Sequence, residues 1–210
     1  MNRALIAGIA LVVVVIGVAA AILAHRSLER TPAPAASTMA PAPAAPGAPA
    51  GKFVPLPAAD FAAVAPVDGK GQPADMSGYR GKALLVNLWA TWCAPCIEEL
   101  PSLGKLQQEL GGENFQVVTI AIDERDPAKI EPFLAAHGAS NLPVLIDVTR
   151  TIDKVAQVSA LPTSLLVDRD GTVKAMLTGD ARWTCGKALA AVKAFIADGT
   201  VTQDELEGCE

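Results

Sequence analysis

Apolar and polar positions divide the chain into stretches of different character. An unbroken apolar run extends from Ala4 to Ala24, between Asn2-Arg3 and His25-Arg26. As a helix rising about 1.5 Å per residue, it is long enough for the roughly 30 Å hydrocarbon core of a bilayer. Beyond residue 60, short apolar runs alternate with segments of helical period. Phe61 to Val67 alternates weakly before the turn signal Asp68-Gly69-Lys70-Gly71, which predicts an N-terminal β-hairpin. Ser77 to Lys82 reads as an irregular turn. Ala83 to Trp89 then carries the pattern of a strand buried on both faces. A helix is predicted from about Cys93 to Leu110, bent at Pro101 and stopped by Gly111-Gly112.

Phe115 to Ile122 is a second buried strand. Asp126 as N-cap and Pro127 as first residue start a helix that runs to His137, with Gly138 past its end. Leu142 to Val148 reads as a short strand and Thr151 to Val158 as a short helix. Ser164 to Val167, the turn Asp168-Arg169-Asp170-Gly171 and Thr172 to Thr178 form an antiparallel hairpin. A last helix covers about Thr184 to Asp198. The order is β-hairpin, βαβαβα, then ββα. That predicts an α/β sandwich with a central mixed sheet, helices on both faces and an N-terminal β-hairpin extension.

Between the two parts, residues 31–58 are Pro- and Ala-rich, as in Pro41-Ala42-Pro43-Ala44-Ala45-Pro46. Such a stretch lacks large apolar residues to offset ordering entropy, and its prolines favour extended backbone. The expected organisation is therefore an anchor over residues 1–30, a tether over 31–58 and a folded domain over 59–210. A cleaved signal peptide competes with the anchor, since Ala19-Ala20-Ala21 supplies small residues. Signal-peptide cores run only about 7–15 residues, however, and this run continues past those alanines. Arginines flank the run on both sides, so the positive-inside rule leaves the orientation open. The net charge of -5 and the lack of a basic stripe argue against nucleic acid as a partner.

The candidate chemistry sits where the central strand meets its helix, in Trp92-Cys93-Ala94-Pro95-Cys96. Unpaired N–H groups and the macrodipole at a helix start favour a thiolate. They lower a free thiol from about 8.5 into a range of roughly 3.5–7.5. Cys93 is thus the expected attacking thiol, facing solvent, and Cys96 the resolving thiol one turn inward. Pro95 lacks an N–H where it is least missed. A zinc site is disfavoured, because the remaining cysteines, Cys185 and Cys209, are far apart and only His25 and His137 are available. No metal or cofactor is expected beyond the redox-active pair itself. His137, at a predicted helix C-terminus, reads as a favourable end charge. Trp89 and Trp183 read as core, and Trp92 as part of the substrate-facing surface. The acidic tail is expected to fold back so that Cys209 pairs with Cys185 in an oxidising compartment, with two unrelated thiols as the alternative.

The stretch from Leu85 to Cys96 closely resembles the active-site region of membrane-anchored thioredoxin-like proteins of the TlpA type. The resemblance continues through Glu99-Leu100-Pro101, Ile122 to Pro127 and Leu161 to Asp168, covering roughly Asp60 to Ala197. It implies a thioredoxin-like fold with Pro162 as a cis-proline facing the dithiol and Leu161 free to pair with a substrate strand. Asn87 stands where many thioredoxins carry a buried aspartate that accepts the resolving thiol's proton. Glu98, Glu99 or water is left as the substitute. The resemblance also implies a monomer in the cytoplasmic membrane with its domain in the periplasm. Electrons would come from a transmembrane thiol transporter of the DsbD or CcdA type. They would pass to cysteines of extracytoplasmic copper-site factors, an oxidase subunit or apocytochrome c. A disulfide oxidant or isomerase and a copper-binding assembly chaperone are the alternatives.

Overall fold

The computed structural model describes residues 51–123, 126–184, 186–204 and 206. The expected anchor, most of the tether, and Cys185 and Cys209 with their expected disulfide lie outside the described residues. Among the described residues, no helix is long and apolar enough to cross a membrane.

Seven strands form one mixed sheet. In chain order they are β1 (Val54–Asp60), β2 (Val67–Asp68), β3 (Ala83–Trp89), β4 (Phe115–Ala121), β5 (Leu145–Ile146), β6 (Thr163–Val167) and β7 (Thr172–Thr178). Their spatial order is β1-β7-β6-β3-β4-β5-β2. The β3/β4 and β4/β5 pairs are parallel and the remaining pairs antiparallel. Every residue of β3 is buried, as its continuous apolar pattern requires of a central strand.

Alternate residues of β3 serve different cores. Ala83, Leu85 and Trp89 pack with the α-helices α1 (Ala94–Leu110), α2 (Pro127–Ala136) and α3 (Gly186–Asp198). Leu84, Val86 and Leu88 pack with Phe61, Met76 and Ile152, which belong to three short 3-10 turns. The mixed sheet is flanked by helical elements as expected, with all three α-helices on one core and the 3-10 turns covering the other.

The N-terminal extension is present with different pairing. Strand β1 adds to β7 at one edge, while β2 adds to β5 at the other. The turn at 68–71 closes only a minimal hairpin around a Val67–Pro73 bridge. Asp60 accepts from the Ala62 N–H and starts a 3-10 turn over Phe61–Ala63, so the residues expected as strand instead bury Phe61 and Val64 at a spacing of three. Because β1 begins at Val54 and Phe53 is buried, the folded domain starts ahead of residue 59, and the last residues assigned to the tether belong to the sheet.

Helix boundaries follow the capping signals. Asp126 accepts from the Ala128 N–H, Pro127 opens α2, and Gly138 beyond its end has φ +70°. The strand expected over 142–148 shortens to two residues. Asp147 is buried and turns its carboxylate to the N–H groups of Thr151 and Ile152, which takes the chain out of the ladder. The helix expected over 151–158 is a single 3-10 turn, Thr151–Lys154, and β-branched Val155 and Val158 beyond it do not propagate a helix.

Close packing fixes α1 against the turn that follows α2. A Cβ on Gly104 would lie 2.6 Å from the Gly138 carbonyl oxygen, and the Gly104 carbonyl accepts from Asn141 Nδ2 at 2.8 Å. In an exposed helix Gly→Ala stabilises by about 1 kcal/mol. Here a backbone atom stands in the way, so Gly104→Ala is expected to destabilise by about 1–3 kcal/mol, as overpacked cores do. Urea denaturation of the two proteins checks the sign.

Candidate active site

Four chain segments meet at one end of the sheet. The turn Ala90–Cys93 leaves β3, Ile122-Asp123 leaves β4, Leu161-Pro162 enters β6, and Gly179–Trp183 leaves β7. The register explains the meeting: Trp89 pairs with Ala121, Leu88 with Thr163, and Thr163 with Thr178.

Cys93 is the N-cap residue of α1, Pro95 lies in the first turn, and Ile97 N–H donates to the Cys93 carbonyl at 3.1 Å. A disulfide joins Cys93 to Cys96, with 5.3 Å between their Cα atoms. The helix start thus places the pair where its N–H groups and dipole favour negative charge. The expectation that Cys93 faces solvent is met only in rank. It is buried, 5% exposed against 0% for Cys96, to which it is disulfide-bonded. Trp92 carries the exposed surface of the site at 71%. Trp89 and Trp183 are fully buried, as expected.

The Leu161-Pro162 peptide bond is cis. Pro162 is buried and its carbonyl accepts from Gly179 N–H, while Leu161 is half-buried at the mouth of the same region.

Beneath the dithiol lies Glu99, one helical turn beyond Cys96 on the same buried side of α1. Side chains three apart on a helix have Cβ atoms about 5–6 Å apart. Glu99 is only 3% exposed and holds a set of donors from three directions. Asn87 Nδ2 donates to Oε1 at 2.6 Å, while Ala181 N–H and Trp183 Nε1 each donate to Oε2 at 3.1 Å. Asn87 Nδ2 also donates to Ser164 Oγ at 3.0 Å, its cross-strand partner on β6. Burial pushes the Glu99 carboxyl up to about 8, against the pull of Asn87, Ala181 and Trp183 and with a smaller push from Asp180.

Of the carboxylates considered from sequence, Glu98 is exposed and Glu99 is the one under the pair. Asn87 makes structural hydrogen bonds as expected, and those bonds run to Glu99 itself. Sequence reasoning missed Trp183, Ala181 and Ser164 as its supports, and Asp123 as a partner of the active-site turn. Their only signal was position at strand ends. His137 caps α2, its Nδ1 lies 2.8 Å from the Phe133 carbonyl oxygen, and its ring stacks on Phe133. Toward the C-terminus, Leu206 is buried in the helix-side core and its N–H donates to the Gly51 carbonyl, so the chain does return to the domain.

This arrangement, a helix-capping disulfide with a cis-proline segment at the same sheet end, defines a thioredoxin-like fold with a redox-capable cysteine pair. A model of the AhpC/TSA family matches residues 54–176, more than half of the chain, and the chain belongs to that family. Among curated proteins it is 32% identical over 112 residues to the thiol-disulfide oxidoreductase ResA of Geobacillus kaustophilus, covering 53% of this chain and 63% of that protein. The ResA of Bacillus subtilis is 30% identical over 112 residues, covering 53% and 62%. The chain thus spans less than two thirds of the length of these relatives. Among solved structures, a putative thiol:disulfide interchange protein DsbE from Chlorobium tepidum aligns with a TM-score of 0.54 and 24% identity, covering 72% of this chain and all of that one. A DsbF homologue from Corynebacterium diphtheriae gives 0.55 and 20%, covering 71% and 93%. At these identities the likeness establishes the fold.

The raised Glu99 carboxyl has a thermodynamic consequence. An unfolded glutamate releases its proton near 4.5, whereas the native one keeps it to about 8, so the native state binds more protons between those values. The stabilisation is complete below the unfolded value and is lost as pH rises through the native one. The oxidised protein is expected to lose stability from about pH 5 to pH 8, by at most a few kcal/mol. Glu99→Gln, which does not ionise, is expected to show a flatter profile over the same range. Thermal melts of both proteins across that pH series are the check.

Proposed function

We propose that this protein is a membrane-tethered, extracytoplasmic thiol–disulfide oxidoreductase that acts as a reductant. The observation that carries the reading is the Cys93–Cys96 disulfide at the start of α1, set above a buried carboxyl group in Glu99. The likeness to proteins named thiol-disulfide oxidoreductase supports the chemistry. The apolar run at residues 4–24 and the Pro/Ala-rich stretch after it support the tether.

In the reduced enzyme, the Cys93 thiolate attacks one sulfur of a substrate disulfide. The substrate S–S bond breaks, its leaving sulfur departs as a thiolate, and a mixed disulfide forms at Cys93. Cys96 then loses its proton, to the ionised fraction of Glu99 or to water, and attacks the Cys93 sulfur. The second substrate sulfur leaves as a thiolate, and the two substrate thiolates are protonated from water or from Glu99. Two electrons have passed to the substrate, and the Cys93–Cys96 disulfide is the product. Burial raises the Glu99 carboxyl to about 8, toward the range in which a group can exchange protons with a thiol. Exposed Trp92 offers an apolar contact beside the reacting sulfur, and Leu161-Pro162, at the same end of the sheet, is the segment this reading assigns to a substrate strand. The electron donor in this reading is a membrane thiol transporter of the DsbD or CcdA type. The recipients are cysteines of extracytoplasmic metalloproteins, copper-site factors or apocytochrome c.

Equilibration with a glutathione buffer tests the direction. A reductant should have a potential near thioredoxin's value of about -270 mV, and a value near DsbA's, about -120 mV, overturns the assignment. Cys96→Ser is expected to leave mixed disulfides at Cys93 unresolved. Mass spectrometry of the trapped species should then return a small set of metal-site proteins. A broad sample of secreted proteins would instead point to a general oxidant or isomerase.

A further inference from the structure

Asp123 lies just beyond the end of β4, and its carboxylate is turned to the active-site turn. Thr91 donates its backbone N–H to Oδ2 at 3.1 Å and to Oδ1 at 3.3 Å, and its hydroxyl to Oδ2 at 2.7 Å. Cys93 follows Thr91 by two positions, so even a fully extended chain keeps their Cα atoms within about 7 Å. The turn is tighter than that, since Cys93 N–H donates back to the Ala90 carbonyl at 3.1 Å. The other carboxyl groups facing this turn from α1 are Glu98, exposed in the first turn, and Glu99, buried below Cys96. Glu124 and Arg125, next to Asp123 in sequence, lie outside the described residues.

We propose that Asp123 is a positioning residue for the dithiol that also tunes it: it fixes the Ala90–Cys93 turn, and its negative charge biases the pair modestly toward giving electrons. The bias takes its meaning from the reductant reading above, whereas the positioning stands on the hydrogen bonds alone. A more stable thiolate makes a stronger oxidant, because it stabilises the reduced form. The start of α1 stabilises the Cys93 thiolate, and a carboxylate held nearby opposes it. In general, one unit charge on the order of 8 Å away in a water-like medium changes a thiolate population by about two- to threefold. The Thr91 donors keep the charge in place, so its effect is part of the site.

Two variants separate the effects. Asp123→Asn keeps a carbonyl acceptor for the Thr91 N–H and removes the charge, whereas Asp123→Ala removes both. The full-length reduced protein is treated with iodoacetamide over a pH series, modification at Cys93 is read by peptide mass, and each variant is equilibrated with glutathione. For Asp123→Asn, alkylation below the thiol midpoint is expected to rise about two- to threefold. Its glutathione equilibrium should shift toward the dithiol by the same factor, at an unchanged melting temperature. Asp123→Ala should show the same shift and also reduce a protein disulfide more slowly relative to a small one. If Asp123→Ala fails to fold, Thr91→Val serves instead, keeping the charge and losing the hydroxyl. It should slow protein-disulfide reduction with little change in the equilibrium. Unchanged alkylation and equilibrium in Asp123→Asn would overturn the electrostatic role, and unimpaired protein-disulfide reduction in Thr91→Val would overturn the positioning. A wild-type potential at the oxidant end would sink the reductant reading while leaving the Asp123→Asn shift to be judged separately.

Discussion

The hydrogen-bond set around Glu99 is the constraint on which this end of the molecule depends. A carboxyl group taken out of water must find donors or stay protonated. Here the donors come from β3 through Asn87, and from the segment after β7 through Ala181 and Trp183. Ser164 on β6 in turn engages Asn87. One side chain on α1 therefore ties the nucleophile helix to three parts of the sheet. Removing the Asn87 donor would leave Oε1 buried without a partner, a larger penalty than the net worth of a single hydrogen bond. Rigid placement of the dithiol and tuning of the carboxyl thus have a common origin.

Asn87 has a place in this balance that an aspartate could not fill. A second carboxylate beside Glu99 would add like charge in a dry site and drive one of the pair still further from ionisation. The neutral amide instead donates to Glu99 Oε1, while its own Oδ1 is buried without a protein partner. The amide nitrogen is shared between Glu99 Oε1 and Ser164 Oγ, so it joins α1 to β6 through β3. In the proposed mechanism the buried carboxyl stands on α1 rather than on β3, and Asn87 on β3 is its hydrogen-bond partner.

Much of the architecture was legible because the signals were local. Continuous apolar runs marked β3 and β4, and Asp126-Pro127 with Gly138 bracketed α2. Cys-x-x-Cys before a helical period placed the pair at a helix start. What was hidden depended on which segments lie side by side. The alternation over 61–67 suggested a strand, but Asp60 capped a 3-10 turn there and β1 formed earlier, from residues that composition alone assigned to the tether. Glu99 is one of two adjacent glutamates near a helix start, and only the helix's rotation buries it and exposes Glu98. Trp183 read as core for the right reason, its size and apolarity, yet its Nε1 position is visible only once the β7 exit lies against α1. Asp123 likewise gains its role from the parallel register of β3 and β4, which carries both chains out of the sheet together.

The same interface reaches the point where the chain enters the domain. The Phe53 ring lies 6.4 Å from the Trp183 ring, and the Gly51 carbonyl accepts the Leu206 N–H. Phe53, Trp183 and Leu206 all belong to the helix-side core that also contains Cys93 and Cys96. Residues at both limits of the domain are thus packed into the layer that holds the indole, and the indole N–H holds Glu99. A small apolar residue in place of Phe53 would therefore do more than open a cavity beside the entering chain. It would loosen the ring that fixes one of the two donors on Glu99 Oε2, and the carboxyl would become harder to ionise as that donor drifted. Entry of the tether, closure of the core and the acidity of the group beneath the dithiol meet in a single contact.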